Sequence, residues 1–119
     1  MTSIEIAKEA VKAIDSKRGT NIKLIKVGDV SIIADYFVIA TGQSSTQVKA
    51  LADEVEYQLK EKGENVSHIE GYRSDTWILL DYIDVIVHVF SDEAREYYDL
   101  DRMWADGVEV DISDIIVKE

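Results

Sequence analysis

The side chains that most often carry out catalysis are few in this chain, and their spacing does not favour joint action. The chain contains two histidines, His68 and His88, and no cysteine. A nucleophilic triad needs a nucleophile, a base and an orienting group, and zinc needs several His or Cys ligands. His88 lies among apolar neighbours in residues 85–90, where a hydrogen-bonded structural histidine is the favoured interpretation. The sequence therefore indicates neither a triad nor a zinc site.

Two other groups of polar residues could in principle hold an ion. Asp81 and Asp84 flank a turn and Asp35 precedes a strand. Carboxylates at such positions can bind magnesium, but aspartates beside turns more commonly cap or form the turn. Ser44 and Ser45 follow Gly42 at a strand-to-helix junction, where helix amides can hold an anion. One glycine without a Walker-type lysine makes an incomplete phosphate loop. We therefore predict no metal and no cofactor. The alternative function is a nucleotidyltransferase-like enzyme or nucleotide-binding protein that uses Ser44, Ser45 and nearby acids such as Asp35 or Asp81.

Residues 70–82 combine aromatic, basic and acidic side chains in a way typical of a protein-binding surface. Trp, Tyr and Arg dominate the energetics of such surfaces. On a strand, Trp77 and Leu79 would share one face with Asp81, and Tyr82 would lie on the other. We expect Trp77 and Tyr82 to be apolar anchors, although Trp77 could instead belong to the core. The candidate partner-binding residues are Glu70, Arg73, Asp75, Trp77, Leu79, Asp81, Tyr82 and Tyr98.

The charge balance favours a basic partner. The chain has 13 Lys+Arg against 24 Asp+Glu, a formal net charge of −11. A nucleic-acid binder needs clustered cations to displace counterions from phosphates, and the cations here are scattered. An acidic surface attracts a basic protein and speeds the encounter, although acidity can also serve solubility alone. We expect no direct nucleic-acid binding.

The length of 119 residues predicts a single domain, with a core over residues 1–105 and a tail of uncertain structure over residues 106–119. There is no proline and no linker-like tract. The first 14 residues are amphipathic rather than an unbroken apolar signal segment, and no apolar run approaches a membrane span. We expect a soluble, cytoplasmic protein that does not enter a membrane.

The first half of the chain predicts two helices and three strands. Thr2 with Glu5 has the spacing of a capping box and begins a helix over residues 3–16. Strands are predicted over residues 21–27 and, from a continuous apolar run, over residues 36–41. Ser44 with Gln47 gives a second capping box before a helix that stops near residue 63, and a short strand follows at residues 66–69.

The second half predicts a strand pair and one helix. Strands at residues 76–80 and 85–90 require a turn without Gly or Asn at its centre, so we expect either a wider turn than a two-residue hairpin or a register that the sequence does not define. Ser91 caps a helix predicted through Ala105, with Tyr97 on its core-facing stripe and Tyr98 on another side. Apolar and acidic side chains alternate along residues 108–112, a pattern that could add an edge strand. The order αββαβββα implies an α/β fold with a mixed sheet flanked by helices.

Three blocks of the sequence form a joint pattern: 35–42 with Ser44 and Ser45, then 47–55; 70–71, Trp77, Asp81 and 84–90; and Arg95, 98–100, Met103 and Trp104. Taken together, these blocks resemble the Iojap family of bacterial ribosomal silencing factors. The resemblance implies a fold similar to nucleotidyltransferases. It also implies binding to large-subunit ribosomal protein fourteen, which would block joining of the ribosomal subunits and repress translation without catalysis.

The chain departs from the patterns of the fold and of the family at identifiable points. Nucleotidyltransferases carry a Gly-Ser pair and a paired-aspartate motif, whereas Gln43 separates Gly42 from Ser44 here and the aspartate pair is missing from the strand after the second helix. The family usually has Gly where this chain has Ile83. A homodimer whose interface overlaps the partner-binding surface is a further expectation, since exposed apolar patches often self-associate.

Overall fold

The computed structural model describes residues 1–74 and 76–117 as a six-stranded mixed sheet flanked by helices, which confirms the predicted fold class. Asp75, one of the candidate partner-binding residues, lies outside the described residues. The elements in chain order are α1 (Ser3–Ser16), β1 (Thr20–Lys26), β2 (Tyr36–Gly42), α2 (Ser45–Glu61), β3 (His68–Glu70), β4 (Trp77–Asp81), β5 (Val85–Ser91), α3 (Asp92–Tyr98), α4 (Leu100–Met103) and β6 (Val108–Val110).

The sheet is built around one parallel pair of strands. The strand order is β3-β4-β5-β2-β1-β6, with β2 and β5 parallel at the centre and every other neighbouring pair antiparallel. Both central strands are buried almost throughout, as their continuous apolar runs predict. The edge strand expected in the tail is present, because β6 pairs with β1.

The two long helices begin at side-chain caps, as predicted. Thr2 accepts a hydrogen bond from the backbone of Glu5, and the Glu5 carboxylate accepts one from the Thr2 backbone in return. Ser44 likewise accepts from the Gln47 backbone at 3.1 Å. The Gln47 side chain, however, accepts from Gln43 rather than from Ser44. Both caps satisfy amides that a helix start would otherwise leave without partners.

The helices cover the two faces of the sheet unequally. On the first face, α1 and α2 bury one large apolar core that includes Val38, Val87 and Leu80. On the second face, the short helices α3 and α4 bury a smaller cluster around Phe37 and Phe90. α3 packs against β5 and β2. Trp77 and Leu79 on β4 are therefore only partly buried at the end of this second face.

The prediction of one continuous helix through Ala105 is wrong. Asp99 has φ 51° and ψ 50°, in the left-handed region, and it separates α3 from α4. Aspartate tolerates this conformation better than most residues because its short polar side chain can bond locally. Tyr97, which was expected on the core-facing stripe, is 78% exposed at the end of α3, while Leu100 after the break is buried. Tyr98 is 47% exposed.

The expectation of a wide turn between β4 and β5 is also wrong. The Tyr82 amide donates to the Val85 carbonyl at 2.9 Å, and the Asp84 amide donates to the Tyr82 carbonyl at 3.0 Å. The turn is therefore tight, and Ile83 at its centre has φ +74°. The Asp81 carboxylate stabilises this arrangement by accepting from the Ile83 amide. A β-branched residue in this region is strained, because its Cβ approaches backbone atoms.

Replacing Ile83 by Gly is expected to stabilise the protein. The side chain is 62% exposed, so little packing is lost, while glycine adopts positive φ without strain. We expect Ile83→Gly to raise the free energy of unfolding by about 1 kcal/mol, measured by urea denaturation. Ile83→Ala keeps the unfavourable φ and is the matched control. A glycine variant no more stable than the alanine variant would contradict the strain.

Candidate partner-binding site

The partly open end of the second sheet face brings together five of the candidate residues. Trp77, Leu79 and Asp81 alternate along β4 on this face, and strand pairing puts Glu70 opposite Leu79. Tyr98 at the end of α3 meets Trp77. A shallow groove of about 250 Å³ is lined by Glu70, Gly71, Trp77 and Leu79. We call these five residues, Glu70, Trp77, Leu79, Asp81 and Tyr98, the β4 surface.

Trp77 is held in place by neighbours on three sides. Its ring centroid lies 5.0 Å from that of Phe90 and 4.6 Å from that of Tyr98. Its indole N–H donates to His88 Nδ1 at 3.1 Å. Aromatic pairs at these separations add to the stabilisation that burial provides. Trp77 therefore presents a partly exposed indole whose orientation is already fixed.

The loop before β4 has a conformation that requires glycine at its first position. Gly71 has φ +76°, and a Cβ there would lie 2.1 Å from the Trp77 carbonyl oxygen. The Ser74 hydroxyl donates to the Gly71 carbonyl at 2.8 Å and accepts from the Trp77 amide at 3.3 Å. The Tyr72 hydroxyl donates to the Asp53 carboxylate on α2. These contacts fix where β4 begins and so where Trp77 lies.

A charged cluster attaches α3 and α4 to the sheet. The Arg95 guanidinium donates to both carboxylate oxygens of Asp101, at 3.1 and 2.9 Å, and to Thr41 Oγ1 at 3.0 Å. It also donates to the carbonyl of Asn21. Hydrogen bonds from Arg95 and Lys23 lower the pKa of Asp101 to about 2. The cluster fixes the start of α4 relative to α3 and thereby supports the position of Tyr98.

Not every predicted site residue lies on this surface. Tyr82 is 6% exposed and packs in the core on the opposite face, because it is one position out of phase with Trp77, Leu79 and Asp81 along the strand. The expectation that Tyr82 is an exposed anchor is therefore wrong. Arg73 is exposed, but it lies in the loop before β4 rather than on the strand.

Two of the groups considered for an enzyme, Ser44 and Asp81, have structural roles. The Ser44 hydroxyl caps α2, and the Asp81 carboxylate accepts from the turn. A cleft of about 640 Å³ lies beside the start of α2, but the Gln47 amide in its wall already bonds to Arg18 and Gln43. Within residues 1–74 and 76–117, no three His, Asp or Glu side chains are grouped to hold a metal. In the same ranges, no helix combines the length and apolarity needed to cross a membrane.

Sequence reasoning identified Trp77 but missed the residue that holds it. In the structure His88 lies on the face of Ile86 and Phe90, as the alternation of side chains along a strand requires. The contact with Trp77 depends on the register of the β4–β5 pair, which the unexpected tight turn sets. A correct turn assignment at Ile83 would therefore have brought His88 beside Trp77.

Burial keeps His88 neutral and makes the stability of the protein depend on pH. His88 is 4% exposed, and burial lowers its pKa from 6.5 to about 4. The unfolded chain thus binds a proton more readily between these values, and the folded state loses stability as pH falls from about 6.5 towards 4.

His88→Asn should remove this part of the pH dependence. We expect the wild-type free energy of unfolding to fall relative to the variant by up to about 1.4 kcal/mol per pH unit across that window, measured by urea denaturation. Both proteins have the same carboxylates, so the contribution of these groups to the pH dependence cancels when the two free energies of unfolding are subtracted. Parallel pH profiles for the two proteins would contradict a neutral, buried His88.

Comparisons with known proteins identify the family. Residues 1–119 match the family described as ribosomal silencing factor during starvation. The ribosomal silencing factor of Bacillus subtilis is 39% identical over 112 residues, 94% of this chain and 95% of that protein. That of Halalkalibacterium halodurans is 36% identical over 116 residues, 98% and 99% of the two chains.

A solved structure supports the same assignment. A crystal structure of a protein from Chromobacterium violaceum has a TM-score of 0.86 to this fold at 37% identity, covering 88% of each chain. The relatives named above are ribosomal silencing factors, a regulatory role rather than a catalytic one. The match over the whole sequence and the agreement in fold lead to one conclusion: the chain belongs to the ribosomal silencing factor family.

Proposed function

We propose that this protein binds the large ribosomal subunit through ribosomal protein fourteen, uses the β4 surface to do so, and represses translation by blocking subunit joining. The observation that carries the proposal is the partly exposed, prearranged Trp77 beside the groove with Leu79. The choice of ribosomal protein follows from the resemblance to the Iojap family. The mode of action is steric and needs no catalysis, and the site of action is the cytoplasm.

The apolar part of the β4 surface has the features of a binding anchor. An aromatic residue whose ring is already fixed loses little conformational freedom when a partner covers it. Trp77 satisfies this condition through its contacts with Phe90, Tyr98 and His88. Central aromatic anchors of this kind supply a large share of the affinity in protein interfaces.

The rim of the β4 surface is acidic and favours a basic protein over nucleic acid. Glu70, which is exposed, lies opposite Leu79 on the neighbouring strand, and Asp81, which is partly exposed, lies two positions along β4. The net charge of −11 adds a long-range attraction for a basic partner and a repulsion for phosphates. Charge would thus raise the association rate, while the apolar centre would set the lifetime of the complex.

The expected homodimer would compete for the same surface. Two copies meeting through their β4 surfaces would bring the acidic rims Glu70 and Asp81 close together. Like charges at short range oppose such pairing. We therefore expect self-association through this surface to be weak compared with binding to the ribosome.

Two substitutions on the β4 surface should weaken binding. Trp77→Ala removes the anchor, and Leu79→Lys places a cation where a basic protein would dock while retaining Trp77. We expect each to weaken affinity for isolated large ribosomal subunits at least about tenfold, measured by cosedimentation at low and high salt.

The controls separate a binding defect from a folding defect. Tyr57 on α2 is a tyrosine 57% exposed, and α2 packs on the other face of the sheet, so Tyr57→Ala should bind like the wild type. Circular dichroism and urea denaturation establish that each variant is folded. Wild-type affinity in a folded Leu79→Lys and a folded Trp77→Ala would reject the β4 surface as the binding site.

The nucleotidyltransferase-like alternative makes a separate prediction. Because the Ser44 hydroxyl is used as a helix cap, we expect titration with ATP or GTP in the presence of magnesium to show no saturable binding. Isothermal calorimetry is a suitable measurement. Saturable binding that Ser44→Ala abolishes, in a variant that remains folded, would favour the enzyme and count against a purely steric action.

A further inference from the structure

The hydrogen bond between Trp77 and His88 runs diagonally across two strands. In the register of β4 and β5, Trp77 lies opposite Phe90, whereas His88 lies opposite Leu79. The indole N–H nevertheless donates to His88 Nδ1 at 3.1 Å. The bond therefore inclines the indole along the strand towards the Leu79 position, where the two side chains line the same groove.

The histidine contributes more to this contact than space filling would require. Because Nδ1 accepts the bond, the neutral ring must carry its proton on Nε2. His88 Nε2 is buried and has no hydrogen-bond partner among the described residues. An apolar side chain would fill this site without burying an unpaired donor. The histidine thus accepts the indole N–H at the cost of its own unpaired Nε2–H, so its distinctive contribution is the orientation of Trp77 rather than a large gain in stability over an apolar residue.

The surroundings of His88 keep the ring available as an acceptor. It lies between aromatic neighbours, with centroids 5.0 Å from Phe37 and 6.1 Å from Phe90. Burial lowers its pKa to about 4, so Nδ1 is unprotonated at neutral pH. The acceptor is fixed in a packed environment, while the residue it holds reaches the surface.

We propose that His88 is a positioning residue for partner binding: it accepts the indole N–H of Trp77 and fixes this side chain in its binding orientation before the partner arrives. The inference rests on the proposed function, because it assumes that Trp77 is an anchor of the β4 surface. Without the acceptor, the indole N–H turns towards water to find a partner, and the ring leaves the wall of the groove. The partner then has to reorder the ring on binding.

The wild-type protein allows a direct test of the geometry. In a ¹⁵N-labelled sample, we expect a scalar coupling across the hydrogen bond between Trp77 Nε1 and His88 Nδ1. The ¹⁵N shifts of His88 should identify the tautomer with its proton on Nε2. A His88 that carries its proton on Nδ1 at neutral pH cannot accept the bond and would overturn the inference.

Two substitutions of nearly equal size separate positioning from packing. Asn and Leu are similar in volume, but Asn retains an acceptor near the place of Nδ1 and Leu does not. We expect His88→Leu to be at least as stable as the wild type in urea, and yet to bind isolated large ribosomal subunits about fivefold more weakly. His88→Asn should bind within about twofold of the wild type.

Each other outcome has a definite meaning. Wild-type binding by His88→Leu, or equal weakening by both variants, would overturn the inference. A leucine variant that does not fold would assign His88 a structural role and also overturn it. If Trp77→Ala binds normally, Trp77 is not an anchor and the inference falls, and the proposed binding surface falls too if Leu79→Lys also binds normally. If Trp77→Ala binds weakly while His88→Leu binds normally, only the role of His88 is rejected.

Discussion

The unequal helical cover of the two sheet faces is the constraint on which the rest of the structure depends. α1 and α2 have 14 and 17 residues, about 21 and 26 Å of helix, and bury the first face. α3 and α4 have 7 and 4 residues, about 11 and 6 Å, and the second face is completed by aromatic side chains instead. The aromatic residue nearest the open end, Trp77, is therefore both part of the packing and part of the surface.

This double role explains why the candidate surface is well ordered although it is partly exposed. An indole that projected freely from an edge strand would lose rotational freedom on binding. Here that freedom is already removed by Phe90, Tyr98 and His88. The Arg95 cluster supports the arrangement at a distance, because it fixes α3 and hence Tyr98 against the sheet. Binding and folding thus share the same contacts at this end of the molecule.

The sequence predicted those features that depend on residues close in the chain. Capping side chains at Thr2 and Ser44 and continuous apolar runs located both long helices and the central strands, because each signal acts within a few residues. The positive φ of Ile83 and of Asp99 was not predicted, because neither position carries the glycine that usually marks such a conformation. The register of β4 with β5 follows from the turn at Ile83 and was missed with it. The partner of Trp77 was missed for the same reason.

The parallel pairing of β2 with β5 has a consequence for the order in which the chain can fold during its own synthesis. β5 is hydrogen-bonded to β2 on one side and to β4 on the other, yet it ends at residue 91 of 119, about three quarters of the way along the chain. Until β5 has been made, β2 lacks its central neighbour and the core under α1 and α2 cannot close. Contacts so distant in sequence slow folding and leave apolar strands uncovered in the meantime. A chain that ends before Val85 therefore holds the residues of both long helices but only part of the sheet, and its apolar strands lack the neighbour that completes their burial.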